Sequence, residues 1–169
     1  MGVTRLNHAV LFVSDLDRSV AFYREVLGFE PVPIAPPGLR AAFLRAPDST
    51  NDHDLGLFEL GQPAPPAGPR PGLYHLAWEV DTLTTLEQIA QRLTEAGALV
   101  GSTDHGTTKS LYGKDPDGIE FEVVWLVPAD LLDEQAIAAR STLRPLDLAA
   151  EKQRYGADTR GGVGVSVPA

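Results

Sequence analysis

Apolar residues along this chain alternate between two periods, and the same alternation occurs twice. Residues 6–13, LNHAVLFV, form an apolar, β-branched run broken only by Asn7 and His8, the pattern of a strand. The following SDLDRSVAFYREVLGF changes period. Leu16, Val20, Tyr23 and Leu27 fall at i, i+4, i+7 and i+11, which is one face of a helix. Ser14 with Asp17 is a candidate cap pair at its start, and Gly28 a natural stop at its end.

Residues 73–80, LYHLAWEV, repeat the first strand, with His75 in the place of His8. A second helical pattern follows, with Leu86, Ile89, Leu93 and Ala96 on one side, Thr84 and Glu87 as a capping box, and Gly97 as the stop. The copies lie 67 residues apart at the His and 69 at the Gly, an internal duplication. Each helix is followed by strand-like runs, at 39–46 and 53–60 in the first copy and at 108–114 and 119–127 in the second. Asp115-Pro116-Asp117-Gly118 joins the last two as a tight turn, with Pro and Gly at the positions such a turn favours.

Between the copies, the proline-rich QPAPPAGPRPG at 62–72 reads as a semi-rigid connector. After Pro128, DLLDEQAIAARSTL suggests a surface helix, PLDLAAEKQRYG a further turn or two, and GADTRGGVGVSVPA a mobile tail. The expected organisation is one domain over 1–128, with modules at 5–61 and 73–128, and a helical extension and tail over 129–169.

Composition narrows the chemistry. A chain of 169 residues with 43% apolar content can bury a sizeable core. No window approaches the roughly 18 unbroken apolar residues that span a bilayer, and MGVTRLNHAV lacks a signal-peptide pattern; a cytoplasmic protein with no membrane partner is expected. The absence of cysteine removes disulfides, thiolate metal sites and thiol nucleophiles together. Any metal must therefore be held by carboxylates and by the four histidines. A net charge of -9 without a basic run disfavours nucleic acid, and a small molecule is the expected partner.

Alternation along a strand puts His8 on one face with Val10 and Phe12, and His75 with Ala77 and Glu79. If a pseudo-twofold axis relates the copies, the two imidazoles converge on one cavity. Glu122 lies on the last strand of the second copy, just past the tight turn. Two imidazoles and a carboxylate occupy one side of a metal and leave its other positions open. The first copy ends in HDLGLFEL, where Glu59 is the expected counterpart of Glu122, so a four-ligand set is the alternative. His105, in TDHGTTKS, and Tyr112, ten residues before Glu122, are candidates to transfer a proton or orient a bound oxygen. Each of these residues also has a plainer reading, as core, packing or solvated side chain. His53, between Asp52 and Asp54, reads as a polar loop end, and Trp78 and Trp125 as core.

The segments NHAVLFVSDLDRSVAFYREVLGFE, YHLAWEV and DPDGIEFE resemble the vicinal oxygen chelate superfamily, which includes glyoxalase I, extradiol dioxygenases, fosfomycin-resistance proteins, epimerases and bleomycin-binding proteins. The resemblance covers residues 5–127. It implies an α+β fold in which two βαβββ modules form an open, cup-shaped mixed β-sheet around a divalent metal ion. Its substrates chelate that metal through two neighbouring oxygens. On this resemblance His8, His75 and Glu122 match the three ligands of an extradiol dioxygenase with Fe(II) as the favoured metal. HGTTKSLYGKDPDG places Tyr112 where such proteins have an active-site tyrosine. The acid–base histidine expected shortly before the second ligand is missing between Glu59 and Tyr74, leaving His105 as the substitute. Adding Glu59 gives a set similar to bacterial glyoxalase I, a lyase or isomerase using Ni or Zn, with Mn a further option. A third reading is a drug- or metabolite-binding module, against which the retained ligands argue. Analogy with the superfamily implies a homodimer.

Overall fold

The computed structural model describes residues 2–62, 71–162 and 165–166; all but the ends of the expected connector at 62–72 lies outside them. The chain divides into two units, Met1–Arg70 with Asp115–Gly118, and Pro71–Lys114 with Ile119–Ala169.

The first unit runs β1 (Ala9–Val13), α1 (Leu16–Leu27), β2 (Glu30–Val32), β3 (Ala41–Arg45) and β4 (Leu55–Glu59). Its sheet has the order β1-β4-β3-β2, with β1 parallel to β4 and the other pairs antiparallel. Side chains alternate across β1, so Leu11 and Val13 are buried while Val10 and Phe12 stay exposed. The buried set lies on the α1 side, where α1 packs on β3 and β4. Leu44, Leu55 and Leu57 are fully buried, each worth roughly 1.5–3 kcal/mol of transfer free energy.

Helix α1 buries Leu16, Ser19, Tyr23 and Val26. The stripe thus follows a neighbouring row to the one predicted, and Val20 and Leu27 are only half-buried. Its cap is Asp15, whose carboxylate accepts from Arg18 N, rather than the Ser14–Asp17 pair. Ser14 is instead tied to Asp117, which accepts from its amide at 2.8 Å and also from its hydroxyl. Gly28 ends the helix as expected, in the left-handed region at φ 79.

The second unit repeats the plan with β5 (Leu76–Glu79), α2 (Leu83–Glu95), β6 (Leu99–Asp104), β7 (Thr108–Lys114) and β8 (Glu120–Leu126), in the order β5-β8-β7-β6. Each unit is therefore a βαβββ module with a four-stranded mixed sheet. Helix α2 buries Leu83, Leu86, Ile89 and Leu93, and its cap is Thr82 rather than the Thr84–Glu87 box. Thr84 gives its hydroxyl to Asp158, and Glu87 accepts from Lys152.

Beyond β8 come a short 3-10 turn at Ala129–Leu131, α3 (Glu134–Ala139) and α4 (Leu148–Tyr155). The run after α4, expected to be mobile, is held in place as far as Gly162. Thr84 N donates to Ala157 O at 2.9 Å, Gly161 N to Asp81 O at 2.8 Å, and the buried Trp125 Nε1 to Thr159 O at 3.3 Å. Among the described residues, no helix is long and apolar enough to cross a membrane.

Candidate metal centre

Strand pairing in the second unit decides which side chains share a face. Glu122 is paired with Ala77 on one side and Tyr112 on the other, while Leu111, Phe121, Val123 and Trp125 of opposite parity are buried. His75 precedes β5 in step with Ala77. Its Nε2 lies 3.2 Å from Glu122 Oε2. With a proton on Nε2 this is a hydrogen bond. Without it, two lone pairs face one another at about the separation of neighbouring ligands around an ion bound at roughly 2.1 Å. The other ring nitrogen of His75 is buried with no hydrogen-bond partner.

Tyr112 adjoins this pair. Its ring centroid is 6.0 Å from that of His75, and its hydroxyl is 2.9 Å from His105 Nε2. Burial, together with the negative charge of Glu122, raises the Tyr112 pKa above its usual 10.0. The phenol therefore keeps its proton at neutral pH. His75, Glu122, Tyr112 and His105 are thus brought together within one unit.

In the first unit His8 precedes β1 in step with Val10 and Phe12, which pair with Gly56 and Phe58. Its Nδ1 is 2.9 Å from Asn7 Oδ1, and its ring lies 4.5 Å from that of His53. His53, expected as a polar loop end, is instead packed between His8 and the Phe43 ring at 4.9 Å, with 17% of its side chain exposed. Its flanking aspartates hid this in the sequence; the only signal was the apolar run LGLF that begins two residues after it.

Glu59 is held elsewhere. It pairs with Val13 and so faces the α1 side. Its carboxylate accepts from Leu16 N at 2.8 Å, at the start of α1, and from Arg40 Nε and Nη2 at 3.0 and 2.8 Å. The Arg40 bonds first, and the Leu16 amide second, lower its pKa to about 2. By register, the counterpart of Glu122 is not Glu59 but Gly56, paired with Val10 as Glu122 is with Ala77. The offset of three residues is odd, and an odd offset reverses the face. Among the described residues, no three His, Asp or Glu gather into one metal-holding group. His75 and Glu122 fit a metal as two neighbouring donors.

The sequence pattern of the Glyoxalase/Bleomycin resistance protein/Dioxygenase superfamily matches residues 5–123. The chain belongs to this superfamily. It is 31% identical over 123 residues to a catechol-2,3-dioxygenase of Bacillus subtilis (strain 168), across 71% of this chain and 41% of the dioxygenase. It therefore spans less than half the length of that relative. It is 33% identical over 106 residues to an ethylmalonyl-CoA/methylmalonyl-CoA epimerase of Cereibacter sphaeroides, across 58% of this chain and 75% of the epimerase. Among solved structures, a glyoxylase/bleomycin resistance protein/dioxygenase domain from Frankia sp. EAN1pec matches with a TM-score of 0.60 at 26% identity, over 73% of this chain and 92% of that one. Helices α3 and α4 lie beyond the residues matched to the superfamily.

Proposed function

We propose that this superfamily member is a metal-dependent, extradiol-type dioxygenase that cleaves the ring of a small catechol-like molecule beside its two hydroxyls. The observation that carries this reading is the 3.2 Å approach of His75 Nε2 to Glu122 Oε2, beside the His105–Tyr112 hydrogen bond. His75 and Glu122 are two of the ligands; the superfamily resemblance implies an imidazole, that of His8, as the third. Two imidazoles and one carboxylate with open positions suit Fe(II) in oxygen chemistry. When bound, the metal supplies Lewis-acid positions for the two neighbouring substrate oxygens and for dioxygen.

The chain's own residues have distinct roles. Tyr112, protonated at neutral pH, donates a hydrogen bond to an oxygen presented beside Glu122. His105 exchanges a proton with the Tyr112 hydroxyl through Nε2, so the pair serves as a proton relay. The similarity to a catechol dioxygenase supports the substrate class. Superfamily analogy supports a homodimer, and the acidic, cysteine-free composition is compatible with a cytoplasmic setting.

The similarity to an epimerase favours a second reading, a lyase or isomerase of the glyoxalase kind. Its four-ligand form would need Glu59, which here is engaged by Arg40 and the start of α1. A metal-free binding module would have no use for the His75–Glu122 pair.

The test is metal analysis of protein purified without added metal or a polyhistidine tag, then anaerobic Fe(II) loading and oxygen uptake with a catechol panel. Stoichiometric iron with catechol-dependent uptake is expected. Tight nickel or zinc without uptake would replace this reading with the lyase or isomerase one, and an absence of metal binding would leave a binding module.

A further inference from the structure

The α2 side of the second sheet carries a charge cluster that the proposed reaction does not use. Lys109 shares its face of β7 with Leu111 and Gly113, and its side chain is 0% exposed. Its Nζ lies 2.5 Å from Asp104 Oδ1, 2.9 Å from Glu151 Oε2 of α4 and 3.1 Å from Gly106 O. It also stands 5.4 Å from the Tyr155 ring centroid. The second Asp104 oxygen accepts from Arg144 Nη2 at 2.7 Å, and the two residues exchange backbone hydrogen bonds at 2.8 and 3.2 Å. Burial pushes the Asp104 pKa up, but hydrogen bonds from Lys109 and the Gly106 amide outweigh it and hold the carboxyl below the usual range. A buried ammonium is expensive where an apolar residue would pack at no cost. Its retention asks for a purpose beyond stability.

The cluster grips the peptide on either side of His105. Asp104 precedes it. Gly106, which follows it, donates its amide to Asp104 Oδ1 at 2.8 Å and gives its carbonyl to Lys109. Gly106 sits at φ +77, and a Cβ there would collide with Ala136 O of α3. His105 itself is tied to Thr108 O at 3.0 Å and to Thr107 N at 2.9 Å. From this clamped loop the imidazole reaches the opposite face of the sheet, where it meets the Tyr112 hydroxyl.

We propose that Lys109, Asp104, Arg144 and Glu151 are positioning residues, through which the C-terminal extension locks the 104–107 loop and sets His105 against Tyr112. Arg144 and Glu151 lie outside the residues matched to the superfamily, so this device belongs to the chain's own extension. Its importance for turnover rests on the proposed roles of His105 and Tyr112; the positioning itself does not.

The experiment records long-range proton–nitrogen spectra of the histidine rings in the metal-free protein, with His105 assigned from His105→Gln. Wild type is expected to give one sharp His105 tautomer. Arg144→Ala and Glu151→Ala should broaden or average that signal while the other three histidines keep theirs, and Arg144→Lys should restore it. In the iron-loaded enzyme the two Ala variants should lower kcat about tenfold with little change in KM. Variants that keep the wild-type thermal transition and an unchanged His105 signal would overturn the proposal. Should Glu151→Ala fail to fold, the half-exposed Arg144 carries the test alone. A wild type inert towards catechols would sink the dioxygenase reading, while the ring spectra would still decide the positioning.

Discussion

Gly56 occupies in the first unit the register position that Glu122 occupies in the second. Strand β4 therefore presents no carboxylate at the position paired with Val10, and Glu59, three residues on, points to the α1 side. Glu59→Gln should leave metal stoichiometry unchanged. Loss of bound metal in that variant, measured by elemental analysis, would restore the four-ligand set.

The same residue makes a prediction about acid. Folding lowers its pKa from 4.5 to about 2, so its contribution to stability is present above the unfolded value and is lost as pH falls towards the folded one. The thermal midpoint of wild type should therefore decline between about pH 4.5 and about pH 2 more steeply than that of Glu59→Gln. Parallel curves would mean that the Arg40 pairing contributes nothing measurable in solution.

His75→Ala should abolish most metal binding, because it removes one of the two donors that already face each other across 3.2 Å. Glu122→Gln should weaken binding rather than abolish it, since the amide keeps one oxygen donor. Stoichiometric metal in His75→Ala would take that residue out of the site.

Tyr112→Phe should keep its metal and lose about 10²-fold in kcat, the scale of a lost proton-transfer group. Because the Tyr112 pKa is raised above 10.0, its ionisation should not limit the wild-type rate anywhere near neutral pH. In the metal-free protein, a Tyr112 ionisation below pH 10 in an ultraviolet titration would contradict the half-buried, anion-flanked phenol described here.

Gly106→Ala should destabilise the protein by about 1–3 kcal/mol, combining a left-handed backbone with a collision at Ala136 O. Urea unfolding measures this directly. An unchanged midpoint would show that α3 can withdraw from the loop without penalty.

Much of this was legible in the sequence because period and turn chemistry are local. The duplicated strand–helix pattern, both helices, the runs that became β3, β4, β7 and β8, and the Asp115–Gly118 turn all follow from residues near one another, and the superfamily resemblance stands. What escaped depends on distant partners. The short β2, with Pro31, and β6, with Gly101 and a shift in pairing, lack a strand signature of their own. The helix caps moved because Ser14 and Thr84 found partners 103 and 74 residues away. Glu59 resembled Glu122 by spacing, yet the parity of its pairing with β1 decides its face. Lys109 was not legible in the sequence, because its partner Glu151 lies on a helix that no local pattern ties to β7.

The burial of Trp125 gives the chain an optical gauge of its own. The indole is one of only two, is fully buried, and shares its N–H between Asp81 O at 3.2 Å and Thr159 O at 3.3 Å, with the Tyr155 ring 5.7 Å away. Its emission should be blue-shifted while α4 and the following residues are seated, and should redden once they lift away and water reaches the ring. Release of the extension can thus be followed by fluorescence with no label attached.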